Sequence, residues 1–310
     1  MKIVSLFSGA GGLDLGLVQA GHEIIWANDF DKDAVTTYEK NIGSHIVCED
    51  IANVDFVNIP KADAIVGGFP CQGFSQANLR RSVSDECNQL YKFFYRAISN
   101  KQPKFFIAEN VRGILSLNDG RAICQIINDF ENAGYVVTVT LVNLADYGVP
   151  QTRQRVFIVG QHKDLGNAMM FQFPDKTHCK NGTLKSWITI KQAIDHYPDP
   201  DLPNCCLNHV YSAYKLAYRN FTGHRITNPD KPSPTILARG NAKGGVCAIP
   251  HYNGERRLTI RESAAVQTFP DDFEFIGKMN SCYRQIGNAV PVRFAKLLGQ
   301  ELMRLEREVL

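Results

Sequence analysis

The sequence predicts an α/β protein: a doubly wound, mostly parallel sheet joined to a second, smaller and irregular unit. Three observations carry this. Short apolar runs alternate with helical patterns through the first 160 residues, as βαβ units require. Gly or Pro follows most of the apolar runs, where a chain leaving a sheet must turn. From Lys163 to about Glu255 the alternation gives way to Pro-, Asn- and Gly-rich sequence such as Asp199-Pro200-Asp201-Leu202-Pro203-Asn204, which marks a unit built differently.

Strands are predicted over Lys2–Phe7, Glu23–Ala27, His45–Cys48, Ala62–Val66, Lys104–Ala108, Val136–Leu141 and Arg155–Gly160. Between them lie helical patterns at Leu13–Ala20, Lys32–Lys40, Gln89–Ile98 and Arg121–Asn132. After the irregular stretch, Thr259–Gln267 reads as a helix. Ala289–Glu308 reads as a longer one, with Val290, Phe294, Leu297, Leu298, Leu302 and Leu305 on one face. That apolar face is expected to pack back on the first unit. The division is therefore residues 1–165, completed by 286–310, against residues 166–285.

Composition sets limits. A chain of 310 residues with 44% hydrophobic content can bury a sizeable core. No stretch approaches the roughly 18 uninterrupted apolar residues of a membrane span, and the first residues lack a secretory pattern. A cytoplasmic location and no membrane partner are expected. The nine cysteines form no Cys-x-x-Cys pair, which argues against a disulfide framework or a metal site. Adjacent Cys205 and Cys206 are read as structural. The formal charge of +3 divides unevenly: residues 1–160 carry −3, residues 161–254 carry +5 and residues 255–310 carry +1. On composition alone the basic middle suits a polar surface insertion as well as a nucleic-acid-binding unit.

Open parallel sheets bind ligands beyond the carboxyl ends of their strands, so Ser8–Gly12, Asn28–Phe30, Gly67–Ser75 and Glu109–Gly113 should line one edge. Ser5-Leu6-Phe7-Ser8-Gly9-Ala10-Gly11-Gly12-Leu13 closes a strand and opens a helix, with glycines that let a ligand approach the backbone. No Lys-Ser/Thr follows to grip phosphates, and Asp14 replaces the third glycine of a dinucleotide fingerprint. An adenosyl ligand without phosphates fits better. Asp29, about 20 residues on, could bind ribose hydroxyls, and Phe30 could stack on adenine.

Gly68-Phe69-Pro70-Cys71-Gln72-Gly73-Phe74-Ser75 follows the fourth strand. Pro70 and the flanking glycines favour a sharp turn that presents the Cys71 thiol to a pocket. A nucleophilic thiolate also needs nearby positive charge or N–H donors, because at an ordinary pKa of about 8.5 little is ionised near neutrality. Without other motifs, a buried structural cysteine is the better reading.

Glu109-Asn110-Val111 after the fifth strand completes an ordered set. With the glycine loop and the Pro-Cys-Gln run, the chain resembles the DNA (cytosine-5)-methyltransferases of bacterial restriction-modification systems. The remaining signatures of that family stand in order: Gln151-Thr152-Arg153-Gln154-Arg155, then Arg257-Leu258-Thr259-Ile260-Arg261-Glu262 leading to Gln267-Thr268-Phe269-Pro270, and Gln285-Ile286-Gly287-Asn288-Ala289-Val290-Pro291. The resemblance spares only about Gln161–Glu255, where the family carries its variable target-recognition region. Phe69 stands where many members have Pro.

The resemblance implies an S-adenosylmethionine-dependent methyltransferase fold, with residues 1–165 and 286–310 binding cofactor and catalysing, and residues 166–285 serving as target-recognition domain and hinge. It implies Cys71 as nucleophile toward cytosine C6 and Glu109 as partner of N3, a role that asks for a partly protonated carboxyl. It also implies Arg155 at the cytosine O2, with Arg153 supporting the pocket. At i and i+2 on a strand the two arginines face the same side. Phe7, Gly9, Gly11, Asp29, Phe30, Asp50, Ile51 and Asn288 are assigned to the S-adenosyl-L-methionine pocket, with Phe69 packing beside it. The target base must leave the stacked duplex, so Gln72–Glu86 becomes a candidate closing loop, with Gln72, Ser75, Arg80 and Arg81 meeting DNA. Pro234-Thr235-Ile236-Leu237-Ala238-Arg239-Gly240-Asn241 resembles a recognition element, and Arg239, Asn241 and Lys243 have side chains suited to base edges and phosphates.

The expected partner is double-stranded DNA, bound by a monomer, with a cognate restriction endonuclease acting separately. A tRNA cytosine methyltransferase shares the same cysteine chemistry, and labelled duplex DNA against tRNA separates the two. A non-catalytic DNA-binding regulator is opposed by the intact Cys71, Glu109, Arg153 and Arg155. A nicotinamide oxidoreductase, suggested by the glycine loop alone, leaves the later motifs unexplained.

Overall fold

The computed structural model describes residues 1–70, 89–166, 170–203, 205–213, 216, 226–238 and 249–309. All seven predicted strands form one sheet. Its members are β1 (Lys2–Leu6), β2 (Glu23–Asp29), β3 (Ile46–Cys48), β4 (Ala64–Gly67), β5 (Phe105–Val111), β6 (Tyr135–Asn143) and β8 (Gln154–His162), in the order β3-β2-β1-β4-β5-β8-β6. A two-residue strand β7 (Gln151–Thr152) lies outside it and pairs with Ser233–Pro234. The strand order reverses between β1 and β4, the switch point where open sheets take ligands.

Pairing is parallel from β3 through β5, whereas β8 runs antiparallel to both β5 and β6. This reversal changes one boundary. Glu109, Asn110 and Val111 were expected in a loop, but the β8 ladder continues to Val111 opposite Arg155, so all three belong to β5. The start of β8 thereby meets the carboxyl ends of the other strands.

Helices α1 (Gly12–Gln19), α2 (Lys32–Asn41), α3 (Gln89–Lys101) and α4 (Arg121–Asn132) lie where the sequence pattern puts them. Apolar side chains alternate between the two faces of the sheet. One face buries Ile3, Ile24, Phe105, Ile107 and Phe157 with Leu13 and Leu17, and the other buries Val4, Ile65, Phe106 and Ile158 with Phe94 and Phe130.

The short helices α5 (Ile190–Ile194) and α6 (Ile260–Val266) each begin in a capping box, Thr189 with Gln192 and Thr259 with Glu262. Helix α8 (Val292–Val309) stands where the sequence predicted one over Ala289–Glu308, and a helix that was not predicted, α7 (Met279–Asn288), precedes it. Pro291 separates them, and its carbonyl accepts the first bond of α8, from Ala295 N–H. The predicted apolar face holds: Phe294, Leu298, Leu302 and Leu305 are buried in the first core. Close packing of α8 on α1 depends on Gly16, where a Cβ would lie 2.4 Å from Ala295 Cβ and 2.6 Å from Val292 O. Helix α7 runs across the expected boundary at 285/286 and serves both units. Tyr283 and Ile286 join a third core with Ile190, Ile236, Leu258 and Ile260, while Arg284 pairs with Asp31 at 2.8 Å. No described helix is long and apolar enough to cross a membrane.

Candidate active site

The site is built on the carboxyl edge of β1, β2, β4 and β5, with the start of β8 closing it. After β1, Phe7, Gly9 and Gly11 all take positive φ, 55°, 56° and 86°. For Phe this is an uncommon backbone, held by bonds from Ser8 N–H to Asn28 O and from Gly11 N–H to Ser8 O, each 2.9 Å. The glycines differ in use. A Cβ on Gly9 would meet nothing within 4 Å, whereas one on Gly11 would lie 2.2 Å from Ile42 Cδ1 and 2.8 Å from Tyr38 Cδ2. Gly9 therefore faces open space, and Gly11 lets the loop lie on α2.

Asp29 staples this loop to β2. Its Oδ2 accepts from Gly9 N–H at 2.8 Å and its Oδ1 from Asp31 N–H at 2.9 Å, and burial raises its pKa against those bonds. Each oxygen keeps a second acceptor position. Next to it the Phe30 ring is 71% exposed. Asp50 is exposed, and its Oδ1 also accepts from Ala52 N–H at 2.9 Å. Ile51 is buried in the second core with Phe69. Asn288 is exposed at the end of α7, and the next residue, Ala289, packs on the glycine loop, 3.0 Å from where a Cβ of Gly12 would stand. An open backbone at Gly9, two carboxylates and an exposed aromatic ring suit a ligand with hydroxyls, an amino group and a flat ring, and offer no cation for a phosphate.

Beneath the loop lies a network that motif reading missed. Asp14, fully buried, accepts from Ser5 Oγ at 2.7 Å and from Tyr38 Oη at 2.9 Å; Ser8 Oγ donates to Ser5 Oγ, and Tyr38 Oη meets His45 Nε2 at 3.0 Å. The local signal was an acid in the first turn of a helix beside an apolar face. Desolvation pushes the Asp14 pKa up from 3.8 to about 6, against the two hydrogen bonds. A folded pKa raised in this sense adds stability that is complete below about pH 4 and lost as pH rises through 6. Asp14→Asn should lack this loss. Between about pH 4 and pH 7 the wild type should fall by about 3 kcal/mol relative to the variant in denaturant titrations; a gap independent of pH would refute the assignment.

At the exit of β4, Asn110 Nδ2 donates to Phe69 O at 3.1 Å, and a Cβ on Gly68 would sit 3.2 Å from Glu109 Oε2. These contacts hold Gly68-Phe69-Pro70 against the end of β5, and Cys71 is the next residue of the chain. The Phe69 ring, expected beside the cofactor, is buried against Tyr91 and Phe94, with centroids 6.4 and 5.8 Å away. Cys71 itself, with Gln72, Ser75, Arg80, Arg81, Arg239, Asn241 and Lys243, lies outside the described residues.

Glu109 and Arg155 meet. Arg155 Nε donates to Glu109 Oε1 at 2.8 Å with both side chains largely buried, and Arg155 Nη1 donates to Gln154 O at 2.8 Å. Glu109 pairs across the ladder with Phe157, so Arg155 is its diagonal neighbour on one face, within reach of a long side chain.

Arg153 has a different task. Only 1% exposed, it donates from Nη1 to Ile236 O at 3.0 Å and from Nη2 to Gly287 O at 2.9 Å and Ala289 O at 3.3 Å. Burial, and then the neighbouring Arg155, push its pKa down to about 9, with Glu109 opposing; it stays charged near neutrality. Two buried glutamines extend the junction. Gln151 Nε2 donates to Gln267 Oε1 at 2.8 Å, Gln151 Oε1 accepts from Ile236 N–H at 2.9 Å, and Gln267 Nε2 donates to Ile286 O at 2.7 Å. Both glutamines belong to motifs the sequence reading quoted, but nothing in a linear motif says that they face each other.

Comparison with known proteins bears on this arrangement. The family model described as C-5 cytosine-specific DNA methylase matches residues 1–304. The Type II methyltransferase M.NgoFVII of Neisseria gonorrhoeae is 43% identical, covering 97% of this chain and 86% of its own. Type II methyltransferase M.FnuDI of Fusobacterium nucleatum is 38% identical, covering 97% and 94%. Among solved structures, a protein described as a DNA modification methyltransferase encoded within an E. coli prophage superposes with a TM-score of 0.76 at 26% identity, over 99% of both chains. The Dnmt2 methyltransferase of S. pombe superposes at 0.71 with 18% identity, over 100% of this chain and 99% of its own, a likeness of fold.

Proposed function

The chain belongs to the C-5 cytosine-specific DNA methylase family, as a DNA cytosine-5 methyltransferase of the Type II restriction-modification kind, and we propose that it methylates a cytosine flipped out of a short, specific duplex site through a covalent Cys71 intermediate. The observation that carries this reading is the Glu109–Arg155 pair, set at the edge beside Gly68-Phe69-Pro70, the segment that leads into Cys71.

Cytosine C5 is too weak a nucleophile unaided. The Cys71 thiolate adds to C6, forming an S–C6 bond, while the ring electrons shift toward C5 and Glu109 donates a hydrogen bond or proton to N3. Arg155, already held by Glu109 and the Gln154 carbonyl, donates to the cytosine O2. S-adenosyl-L-methionine, when bound, supplies an electrophilic methyl group on a sulfonium. Gly9, Asp29, Phe30, Asp50 and Asn288 would hold it, with the loop of Phe7 and Gly11 and the packing of Ile51 and Phe69 shaping the groove. After transfer to C5, a base removes the C5 proton, the S–C6 bond breaks and the thiolate is restored. Arg153 is a positioning residue in this scheme: it ties the Ile236 segment and the end of α7 to the strand that carries Arg155.

Residues 1–165 with the C-terminal helices form the catalytic part, and residues from 166 to the start of α7 the recognition part. There Arg239, Asn241 and Lys243, with Gln72, Ser75, Arg80 and Arg81 from the Cys71 segment, contact DNA. Bisulfite sequencing of DNA from cells expressing the protein tests the reaction and reveals the target together. Resistant cytosines should appear at one short sequence motif; DNA without any, or modification confined to tRNA, would overturn the proposal.

A further inference from the structure

Beside the base pocket stands an arginine that the mechanism does not use. Arg112 follows β5 directly, three residues after Glu109, and its side chain is exposed. Its Nη1 donates to Gln154 Oε1 at 2.9 Å, and Gln154 lies between Arg153 and Arg155 at the start of β8. Along each of the two strands, Arg112 and Gln154 therefore sit one residue beyond the Val111–Arg155 ladder pair. The same short stretch of edge presents two guanidinium groups. Arg155 is spent on Glu109 within the pocket, whereas Arg112 makes no ion pair with a described carboxylate.

A guanidinium carries five donors and no acceptor. The bond to Gln154 fixes the orientation of Arg112 while using one donor, so at least one pair of N–H groups is left for two charge-assisted bonds to the oxygens of an anion. What must come to this edge in the proposed reaction is a nucleotide whose base turns its N3 and O2 toward the Glu109–Arg155 pair. Its sugar and phosphates stay outside, where the exposed guanidinium is. We propose that Arg112 is a DNA-backbone contact, a clamp on a phosphate adjoining the flipped nucleotide, and that Gln154 is its positioning residue. The inference rests on the proposed base-flipping reaction and adds a binding role for a residue outside the family motifs quoted above.

A phosphate contact has a distinctive signature. It weakens binding on any sequence and contributes to the salt dependence, with each neutralised phosphate steepening the slope of log affinity against log salt by about 0.9 on duplex DNA. The probes are two labelled duplexes, one carrying the site found by bisulfite sequencing and one scrambled. With Arg112→Gln, affinity should fall on the cognate duplex and the slope should become shallower by about 0.9, so that the wild-type advantage shrinks about 3.5-fold between about 50 and 200 mM salt. Arg112→Lys should restore the slope. Gln154→Ala, which keeps the charge but removes its tether, should lower affinity at an unchanged slope. An Arg112→Gln slope equal to the wild type would overturn the inference, as would a weaker cognate complex accompanied by relaxed site preference, which belongs to a base-edge contact. If the wild type fails to methylate duplex DNA at all, it is the underlying reaction that fails.

Discussion

Cys71→Ala should lose methyl transfer by about 10⁴-fold or more while duplex binding survives. The size follows from the chemistry: without an S–C6 bond the ring has no route to enamine reactivity at C5, and the exposed thiol described at this edge, Cys48 at the end of β3, faces the Phe30 carbonyl rather than the Glu109–Arg155 pair. Glu109, Arg155 and the Gly9 groove remain, so DNA and cofactor should still bind. Methyl incorporation from labelled S-adenosylmethionine, read beside a gel-shift assay, separates the two. Retained transfer in the variant would sink the covalent scheme. DNA carrying 5-fluorocytosine provides the positive counterpart, because fluorine at C5 cannot leave as a proton and the adduct should persist. With active wild-type enzyme and cognate DNA, mass spectrometry should locate that adduct at Cys71; no adduct would count against thiolate attack.

Arg153→Ala should produce the other large effect, and it should appear first in stability. Removing this guanidinium leaves the Ile236, Gly287 and Ala289 carbonyls without their donors, and each unsatisfied buried group costs about 1–3 kcal/mol. With Gln267 still donating to Ala289 O, a net loss of about 3–5 kcal/mol is expected, which lowers Tm by about 10 °C. Arg155→Ala gives the contrast: a smaller fall in Tm, from the Glu109 carboxylate that loses its partner, with a large loss of kcat. If the two variants exchange these phenotypes, the division of labour between the arginines is wrong.

The difference between those arginines marks how far the sequence could be read. Their spacing predicts a shared face on one strand; the structure has Arg153 just ahead of β8 and Arg155 within it, and no pattern in five residues says that one donates to three backbone carbonyls and the other to a carboxylate. Those partners lie 46 positions away for Arg155 and 83, 134 and 136 for Arg153, and only tertiary packing brings them close. The seven strands and the four helices between them were legible because apolar periodicity is local. The reversed direction of β8 was not, since an alternating run is the same read forward or backward. The start of α8 after Pro291 could have been anticipated from proline chemistry, yet the apolar stripe, which takes in Val290, drew the boundary back to Ala289. Asp14 was noticed only as a glycine that was missing, whereas in the fold it anchors the loop through Ser5 and Tyr38.

The antiparallel course of β8 has a consequence for how this chain can change. Because Arg155 and Glu109 come from strands of opposite direction, their meeting depends on parity along a single ladder. One residue inserted between Arg155 and Phe157 would turn Arg155 to the other face and bring Val156 or the new residue in its place. Two residues would restore the face but displace the guanidinium by about 7 Å. Along this one strand, lineages can exchange side chains but not spacing.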